Sequence, residues 1–204
     1  VALNMVIQTV IRPGDTVLAT SAEHNAVMRP LREVEARGAR VLIAPCDATG
    51  EVDLEAFRVL VEQDVRLAVV SHASNVIGRI APVAELCRIA RAAGAMTLVD
   101  AAQTAGAIPV TAQNTCADFI AFTGHKALQG PPGTGGLILC TDGAASEIRP
   151  FIRGGTGSSS QSEVHPEALP DRLEAGTPNG AGIAGLGAAI RWINDYGREQ
   201  MREH

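Results

Sequence analysis

The sequence predicts an α/β protein whose mainly parallel sheet is flanked by helices in a three-layer α/β/α arrangement. Short apolar or β-branched runs alternate with amphipathic stretches along most of the 204 residues. This alternation is typical of right-handed β-α-β units. The run at 65–72, VRLAVVSH, is almost continuously apolar, as expected for a strand in a parallel sheet that helices cover on both faces.

The first quarter of the chain predicts helix, strand, helix and strand in that order. The opening residues form an amphipathic helix that ends near the sequence RPGD, and a strand covers 15–20 after that turn. The next helix begins near Asn25, a good N-cap residue, and stops at Gly38. Pro30 lies early in this helix and predicts an irregular first turn or a later start. A second strand covers 39–45.

The remaining elements continue the alternation. Helices are predicted over 52–63 and 82–94; in the second, Pro82 suits the first helical position and Gly94 suits the residue after the helix. The last stretch, from 181 onward, is also helical in pattern. Three further strands are predicted at 95–100, 116–124 and 135–140.

Composition argues against several classes of protein. The net charge of -5 provides no basic surface for nucleic acid, and no apolar run approaches membrane-spanning length. Residues 1–15 lack the basic region, apolar run and cleavage site of a signal peptide. The four cysteines lie far apart without a C-x-x-C pair. We therefore expect no metal cluster, and reduced thiols in a cytoplasmic protein.

The run GPPGTG at 130–135 resembles the phosphate loop of nucleotide-binding proteins. That loop needs Lys and then Ser or Thr after its second glycine, because the lysine contacts the phosphates and the hydroxyl binds Mg²⁺. Here Gly135 is followed by Gly136 and Leu137. The run is therefore predicted to be a tight turn. A nucleotide-binding protein remains an alternative that stabilisation by ATP would support.

Polar residues follow several predicted strands at the point where each strand ends. Ligands of open parallel sheets bind beyond the carboxyl ends of the strands, so these side chains are expected to converge at one edge. The residues concerned are Ser21, Glu23, His24, Ser71, His72, Ser74, Asn75, Asp100, Gln103, Thr123, His125 and Lys126.

The residue types in this group favour one kind of chemistry. Lys126 is one of very few lysines in the chain, and a lysine at the mouth of a sheet can form a Schiff base with a carbonyl compound. Asp100 can pair with a pyridinium nitrogen and keep that ring protonated as an electron sink. Lysine and aspartate are used together in this way by enzymes that depend on pyridoxal 5'-phosphate (PLP).

Two linked segments resemble the core of a known family. VDAAQTAGAIPV (99–110) and ADFIAFTGHKALQGPPGTGGLIL (117–139) are similar to the class V aminotransferase-fold PLP enzymes, and most of all to cysteine desulfurases and selenocysteine lyases. Further segments are similar in the same order, namely SAEHNAVMRPL, VSHASNVIGRIAPV, RGGTGS and LEAGTPN. The resemblance covers nearly the whole chain and implies the large domain of a fold type I PLP-dependent transferase.

The resemblance also implies roles for the catalytic residues. Lys126 would bind the cofactor as the internal aldimine and shuttle a proton, and Asp100 would pair with the pyridine nitrogen. His24 would stack on the cofactor ring, and Gln103 would form a hydrogen bond to the ring oxygen O3′. Asn75 would contact a cofactor oxygen or the substrate carboxylate.

The phosphate-binding residues are implied in the same way. Thr123 and His125 would bind the phosphate of the cofactor, and Thr123 stands where the family often has serine. Thr156, in GGTGS, would be donated to the phosphate by the neighbouring subunit of a homodimer. Without the resemblance, a stretch rich in glycine and serine is first of all a flexible loop.

The chain departs from the family at both ends. The family's small-residue phosphate turn would lie upstream of Val1, and its C-terminal domain supplies a carboxylate-binding arginine and, in desulfurases, a sulfur-accepting cysteine. None of the four cysteines, Cys46, Cys87, Cys116 and Cys140, matches that position. We therefore expect residues 1–204 to be a PLP-binding large domain, truncated at both ends and incomplete as an enzyme by itself.

The function implied is that of a cysteine desulfurase, which converts L-cysteine to L-alanine and leaves the sulfur as a persulfide on an enzyme cysteine. A sulfur-acceptor protein is a possible partner. One alternative retains the fold with another reaction: a selenocysteine lyase, transaminase, epimerase or lyase. A second alternative is a truncated binding module without catalytic activity.

Overall fold

A six-stranded sheet with helices on both faces forms the protein. The computed structural model describes residues 1–158 and 161–203, and their side chains through 201. The strand order is β2-β1-β3-β4-β5-β6; β1 to β5 are mutually parallel, and β6 is antiparallel to β5. The strands are β1 Thr16–Thr20, β2 Arg40–Ala44, β3 Val65–Ser71, β4 Met96–Asp100, β5 Phe119–Thr123 and β6 Gly135–Leu139. The helices are α1 Ala2–Val10, α2 Asn25–Ala36, α3 Leu54–Val61, α4 Val83–Ala92, α5 Ala112–Thr115, α6 Asp142–Glu147, α7 Gly180–Tyr196 and α8 Arg198–Glu203.

Alternate residues of the central strands enter two separate cores. In β1, Val17 and Ala19 pack with α1 and α2 on one face of the sheet, and Leu18 packs with α3 and α4 on the other. Phe57 of α3 is fully buried in the second core. Because successive side chains of a strand point to opposite faces, both faces must be apolar. The predicted three-layer α/β/α class is therefore confirmed.

The predicted elements are present, with corrected boundaries. The helix predicted at 52–63 is shorter because the Asp53 side chain caps it, accepting a 2.9 Å hydrogen bond from the Ala56 N–H. Pro82 is the N-cap of α4 and not its first helical residue. Pro30 lies inside α2 without interrupting it, and the N-cap of α2 is His24, one residue before the predicted one.

The strand predicted at 116–124 begins later than expected. Residues 112–115 form the short helix α5, which Thr111 caps, and Cys116 ends this helix in the left-handed region with a φ of 57°. A left-handed residue interrupts extended backbone, so β5 starts only at Phe119. The sequence predicted no helix at α5 or α6.

The last strand, β6, runs against the other five. It pairs Thr123 with Gly135 and Phe119 with Leu139, directly after the turn that contains the glycine run. A parallel return needs a crossover of a dozen or more residues, usually a helix, and 124–134 is too short to provide one. Among the residues that the structure describes, no helix is both long and apolar enough to cross a membrane.

Candidate active site

A cavity of about 1260 Å³ opens at the carboxyl ends of the parallel strands. All the site residues predicted from the sequence line it, with the exception of Thr156. They are His24, Asn75, Asp100, Gln103, Thr123, His125 and Lys126. The strand-end rule thus explains how residues that are far apart in the chain come to share one wall.

Asp100 lies at the floor of the cavity, at the end of β4. It is only 7% exposed, and its Oδ1 accepts a 2.9 Å hydrogen bond from the Ala102 N–H. Burial raises the pKa of Asp100, while the Ala102 N–H and the positive charge of Lys126 lower it. Within the described part of the chain Asp100 forms no ion pair. A buried carboxylate of this kind suits a ligand that brings a positive N–H group.

Lys126 is the only lysine in the sequence. It lies just after β5, where its carbonyl accepts a 2.9 Å hydrogen bond from the Gln129 N–H. The following turn is closed by a 2.7 Å hydrogen bond from the Gly130 N–H to the Gly124 carbonyl. These backbone bonds fix the segment that holds the lysine against the end of β5.

Close packing explains why glycines surround Lys126. A Cβ on Gly106 would lie 2.7 Å from the Ala127 backbone, immediately after the lysine. A Cβ on Gly130 would lie 2.6 Å from Leu186 of α7, and one on Gly136 would lie 2.7 Å from the Phe122 ring. The glycine run therefore allows β5, β6 and α7 to approach each other closely behind the lysine. This supports the prediction that the run is a tight turn.

His24 has a defined ring orientation. Its Nδ1 accepts a 3.0 Å hydrogen bond from the Ala26 N–H at the start of α2. A neutral histidine that accepts at Nδ1 has its hydrogen on Nε2. The capping bond therefore holds the ring at the cavity wall and leaves Nε2–H free for other partners.

Thr123 and His125 form a pair beyond the end of β5. The Thr123 Oγ1 and the His125 Nδ1 lie 2.8 Å apart and are hydrogen-bonded. Both residues line the cavity, and the pair offers donors that suit an anionic oxygen. Gln103 and Asn75 add amide groups to the same wall.

Thr156 lies apart from this group. It does not line the cavity, and its Oγ1 lies 3.1 Å from the Ser158 Oγ. The sequence predicted that Thr156 serves the neighbouring subunit, so its position outside the cavity of its own chain is compatible with that prediction and does not test it.

Sequence reasoning missed a second wall of the cavity. Asn25, Arg29 and Glu33 of α2 face it, together with residues of α1 and with Leu169, Pro170, Leu173 and Glu174. The three α2 residues follow one another at intervals of four, the spacing of one helix face. Once α2 was predicted and His24 was placed at the cavity, this spacing could have identified Arg29 as a cation on the same wall.

Glu23 was grouped with the strand-end residues but received no role. Its carboxylate accepts hydrogen bonds from the Thr20 hydroxyl at 2.7 Å, the Ser71 N–H at 3.0 Å and the Ser71 hydroxyl at 2.6 Å. Burial raises the pKa of Glu23 to about 7; the hydrogen bonds from Ser71 and Thr20 lower it, and the nearby charge of Asp100 raises it further. The sequence did not indicate this desolvated carboxyl group.

The fold and the site define a class of protein. A parallel α/β sheet with a lysine and a buried aspartate at its carboxyl edge matches the family Aminotransferase class-V, and residues 1–204 match that family throughout. The chain belongs to this family, and the resemblance recognised in the sequence is confirmed. Enzymes of the family depend on PLP.

Two proteins that are similar to this chain are named as cysteine desulfurases, one of them a probable one. The chain is 39% identical over 195 residues to a probable cysteine desulfurase of Methanothermobacter thermautotrophicus, covering 95% of this chain and 48% of the relative. Its fold matches an apo cysteine desulfurase from Thermococcus onnurineus with a TM-score of 0.88 and 34% identity, covering 97% of this chain and 50% of that one.

A third relative is a solved structure that contains the cofactor. It is a lysine-to-alanine variant of C-DES with glycine covalently linked to its PLP cofactor. The TM-score is 0.83 and the identity 28%, over 98% of this chain and 55% of that one. The chain therefore spans about half the length of the relatives it matches.

Replacing Gly106 with alanine should destabilise the protein by about 1–3 kcal/mol. Gly106 has a φ of +95°, and its added Cβ would press on the Ala127 backbone at 2.7 Å. The matched control is Gly94→Ala, because Gly94 has a φ of +83° but no atom within 4 Å of the new Cβ. Urea unfolding measures both free energies, and equal losses would contradict crowding at Gly106.

Replacing Glu23 with glutamine should remove a pH dependence of stability. The pKa of Glu23 is raised from 4.5 to about 7 in the folded protein, so the folded state binds the proton more tightly than the unfolded state. The tighter binding of this proton therefore adds to the free energy of unfolding. The added stability is fully present below pH 4.5 and is lost as the pH rises through about 7.

The measurement is urea unfolding from pH 4.5 to pH 8. The free energy of unfolding of the wild type, relative to Glu23→Gln, should fall by roughly 3 kcal/mol over this range. The exposed Glu62→Gln serves as control and should show no such trend. A constant difference between wild type and Glu23→Gln would rule out the raised pKa.

Proposed function

We propose that residues 1–204 are the PLP-binding large domain of a cysteine desulfurase. The observation that supports this most directly is the single lysine of the chain at the same cavity as a buried aspartate that has no ion pair in the described residues. The family and its cysteine desulfurase relatives support the same assignment.

The residues of the cavity fit the cofactor. PLP, when bound, supplies an electron sink for bonds at the α-carbon of an amino acid. The Lys126 amine would hold the cofactor covalently through its aldehyde group. When not bonded to the cofactor, the same amine would accept the proton from the substrate α-carbon.

Asp100 and His24 orient the ring and tune its charge. The Asp100 carboxylate would hold a proton on the ring nitrogen, because a buried anion stabilises the protonated form of its partner. His24 would pack on the ring, and its capping bond at 3.0 Å keeps the imidazole in place. Gln103 would donate a hydrogen bond to the ring oxygen O3′.

Three residues bind the charged ends of the ligands. Thr123 and His125, paired at 2.8 Å, donate to the phosphate. Asn75 contacts a cofactor oxygen or the substrate carboxylate.

The proposed substrate is L-cysteine. The carbon–sulfur bond of the substrate breaks, its sulfur bonds to an enzyme thiol, and the remaining carbons leave as L-alanine. L-cysteine and one thiol thus become L-alanine and one persulfide, with atoms and electrons balanced. A sulfur-acceptor protein then takes up the persulfide sulfur.

The four cysteines of this chain suit that acceptor role poorly. All four are described, and none lines the cavity. Burial raises the pKa of the Cys87 thiol to about 12 and also raises the pKa of Cys140, which disfavours the reactive thiolate. The thiol that receives the sulfur is therefore proposed to be a different one.

The protein is proposed to act as a cytoplasmic homodimer. Its four cysteines are free thiols, as is usual in a reducing compartment. Thr156 lies outside the cavity of its own chain, and in a dimer it would reach the phosphate of the second copy. A sedimentation experiment that finds only monomer at micromolar concentration would contradict the dimer.

Borohydride reduction in excess PLP should leave a pyridoxyl group on Lys126. Because Lys126 is the only lysine, mass spectrometry distinguishes this adduct from one on the terminal amine. Lys126→Arg retains the positive charge but forms no Schiff base, so it should show no adduct at this position. A folded wild-type protein without the adduct would support a binding module without catalytic activity.

A protein that contains these 204 residues as its large domain should convert L-cysteine to L-alanine in the presence of a thiol reductant. Alanine and sulfide should form in equal amounts, and the 204-residue chain alone should form neither. Mass spectrometry of the products also separates the alternatives, since a transaminase yields a keto acid and an epimerase yields D-cysteine. Turnover by the 204-residue chain would overturn its assignment as an incomplete enzyme.

A further inference from the structure

Glu23 connects the ends of two neighbouring strands beneath the cavity. It lies in the turn after β1, and its carboxylate accepts two hydrogen bonds from Ser71 at the end of β3. A third hydrogen bond comes from Thr20, the last residue of β1. One carboxyl group therefore fixes the relative position of two strand ends that both contribute to the cavity rim.

Glu23 would influence a bound ligand only through neighbouring residues that line the cavity. Glu23 does not line the cavity, whereas its chain neighbour His24 and its hydrogen-bond partner Ser71 do. In the sheet, Ser71 is in register with Asp100, and the His72 N–H donates to the Asp100 carbonyl at 2.9 Å. Any change at Glu23 thus passes to the ligand through residues that line the cavity.

The charges around Glu23 distinguish it from Asp100. Burial raises the pKa of Asp100, whereas the Ala102 N–H and the charge of Lys126 oppose that rise. Glu23 has only hydroxyl and amide donors, and it takes part in no ion pair in the described portion of the chain. Of two nearby carboxyl groups, the one without a cation is the first to take a proton.

A further titratable group close to Glu23 is His72, the residue after Ser71. Its Nδ1 lies 2.9 Å from the Thr104 hydroxyl, and burial lowers the pKa of His72. The neutral form is therefore favoured.

We propose that Glu23 is a positioning residue that orients Ser71 and His24 at the cofactor and whose charge strengthens the hold of Asp100 on the ring proton. The inference rests on the proposed PLP site. Ionised Glu23 adds negative potential next to Asp100, which favours the protonated cofactor. It also accepts the only hydroxyl hydrogen of Ser71, and a protonated Glu23 would release that hydrogen toward the cavity.

The test is a pH titration of the absorbance of PLP bound to the wild-type protein and to three variants. Glu23→Gln removes the charge, and its amide oxygen can still accept from the Thr20 hydroxyl and the Ser71 N–H. Its amide nitrogen would donate to the Ser71 hydroxyl, which reverses the direction of that one hydrogen bond. Glu23→Ala removes the charge and the hydrogen bonds. Glu62→Gln removes an exposed charge at the end of α3 and serves as the control.

The absorbance of bound PLP should change with pH at a lower midpoint in Glu23→Gln than in the wild type, by on the order of one pH unit. The midpoint pH of the absorbance change should be the same in Glu62→Gln as in the wild type. Glu23→Ala should show the same shift and in addition weaken PLP binding by about fivefold or more, because three donors lose their acceptor. Urea unfolding of each variant verifies that it is folded.

The outcomes separate this inference from the proposed function. A wild-type protein that shows no absorbance of bound PLP would refute the proposed function and this inference with it. If both proteins bind PLP and the absorbance changes at the same pH in the wild type and in Glu23→Gln, this inference alone is refuted. Because Glu23→Gln preserves the shape of the side chain, the result does not depend on whether Glu23→Ala folds.

Discussion

The parallel register of β1, β3, β4 and β5 is the constraint on which the site depends. It brings their carboxyl ends to one edge of the sheet and pairs Ser71 with Asp100 and Asp100 with Ala121. Helices that cover both faces, with cores such as those around Leu18 and Val17, hold the sheet in this register. A shift of one residue would turn Asp100 from the cavity into a core, where its charge would be unpaired.

The register also places two carboxyl groups close together with different surroundings. The charge of Lys126 opposes the rise in the pKa of Asp100 that burial causes, whereas Glu23 has only neutral donors, from β1 and β3. Their ionisation is therefore coupled: a proton on Glu23 relieves the repulsion that Asp100 would otherwise meet. In the proposed enzyme, the ring nitrogen of the cofactor would be the third member of this group.

Close packing behind the lysine completes the site. Gly106, Gly130 and Gly136 each lie where a Cβ would collide with a neighbouring segment. The collisions involve the backbone after Lys126, α7 and β5, so the glycines bring three elements together at one point. The segment that holds Lys126 is consequently fixed by contacts from several directions, although the turn itself is short.

The sequence by itself determined the α/β class, the order of the main elements and the family, because periodicity and short motifs are local properties. It also placed Lys126 and Asp100 at one edge of the sheet, since the carboxyl ends of the strands meet there. Only the tertiary structure decided the antiparallel direction of β6, the α2 wall with Arg29, and the position of Thr156 outside the cavity. It alone revealed the raised pKa of Glu23, because desolvation of a carboxyl group is caused by neighbours that are distant in the chain.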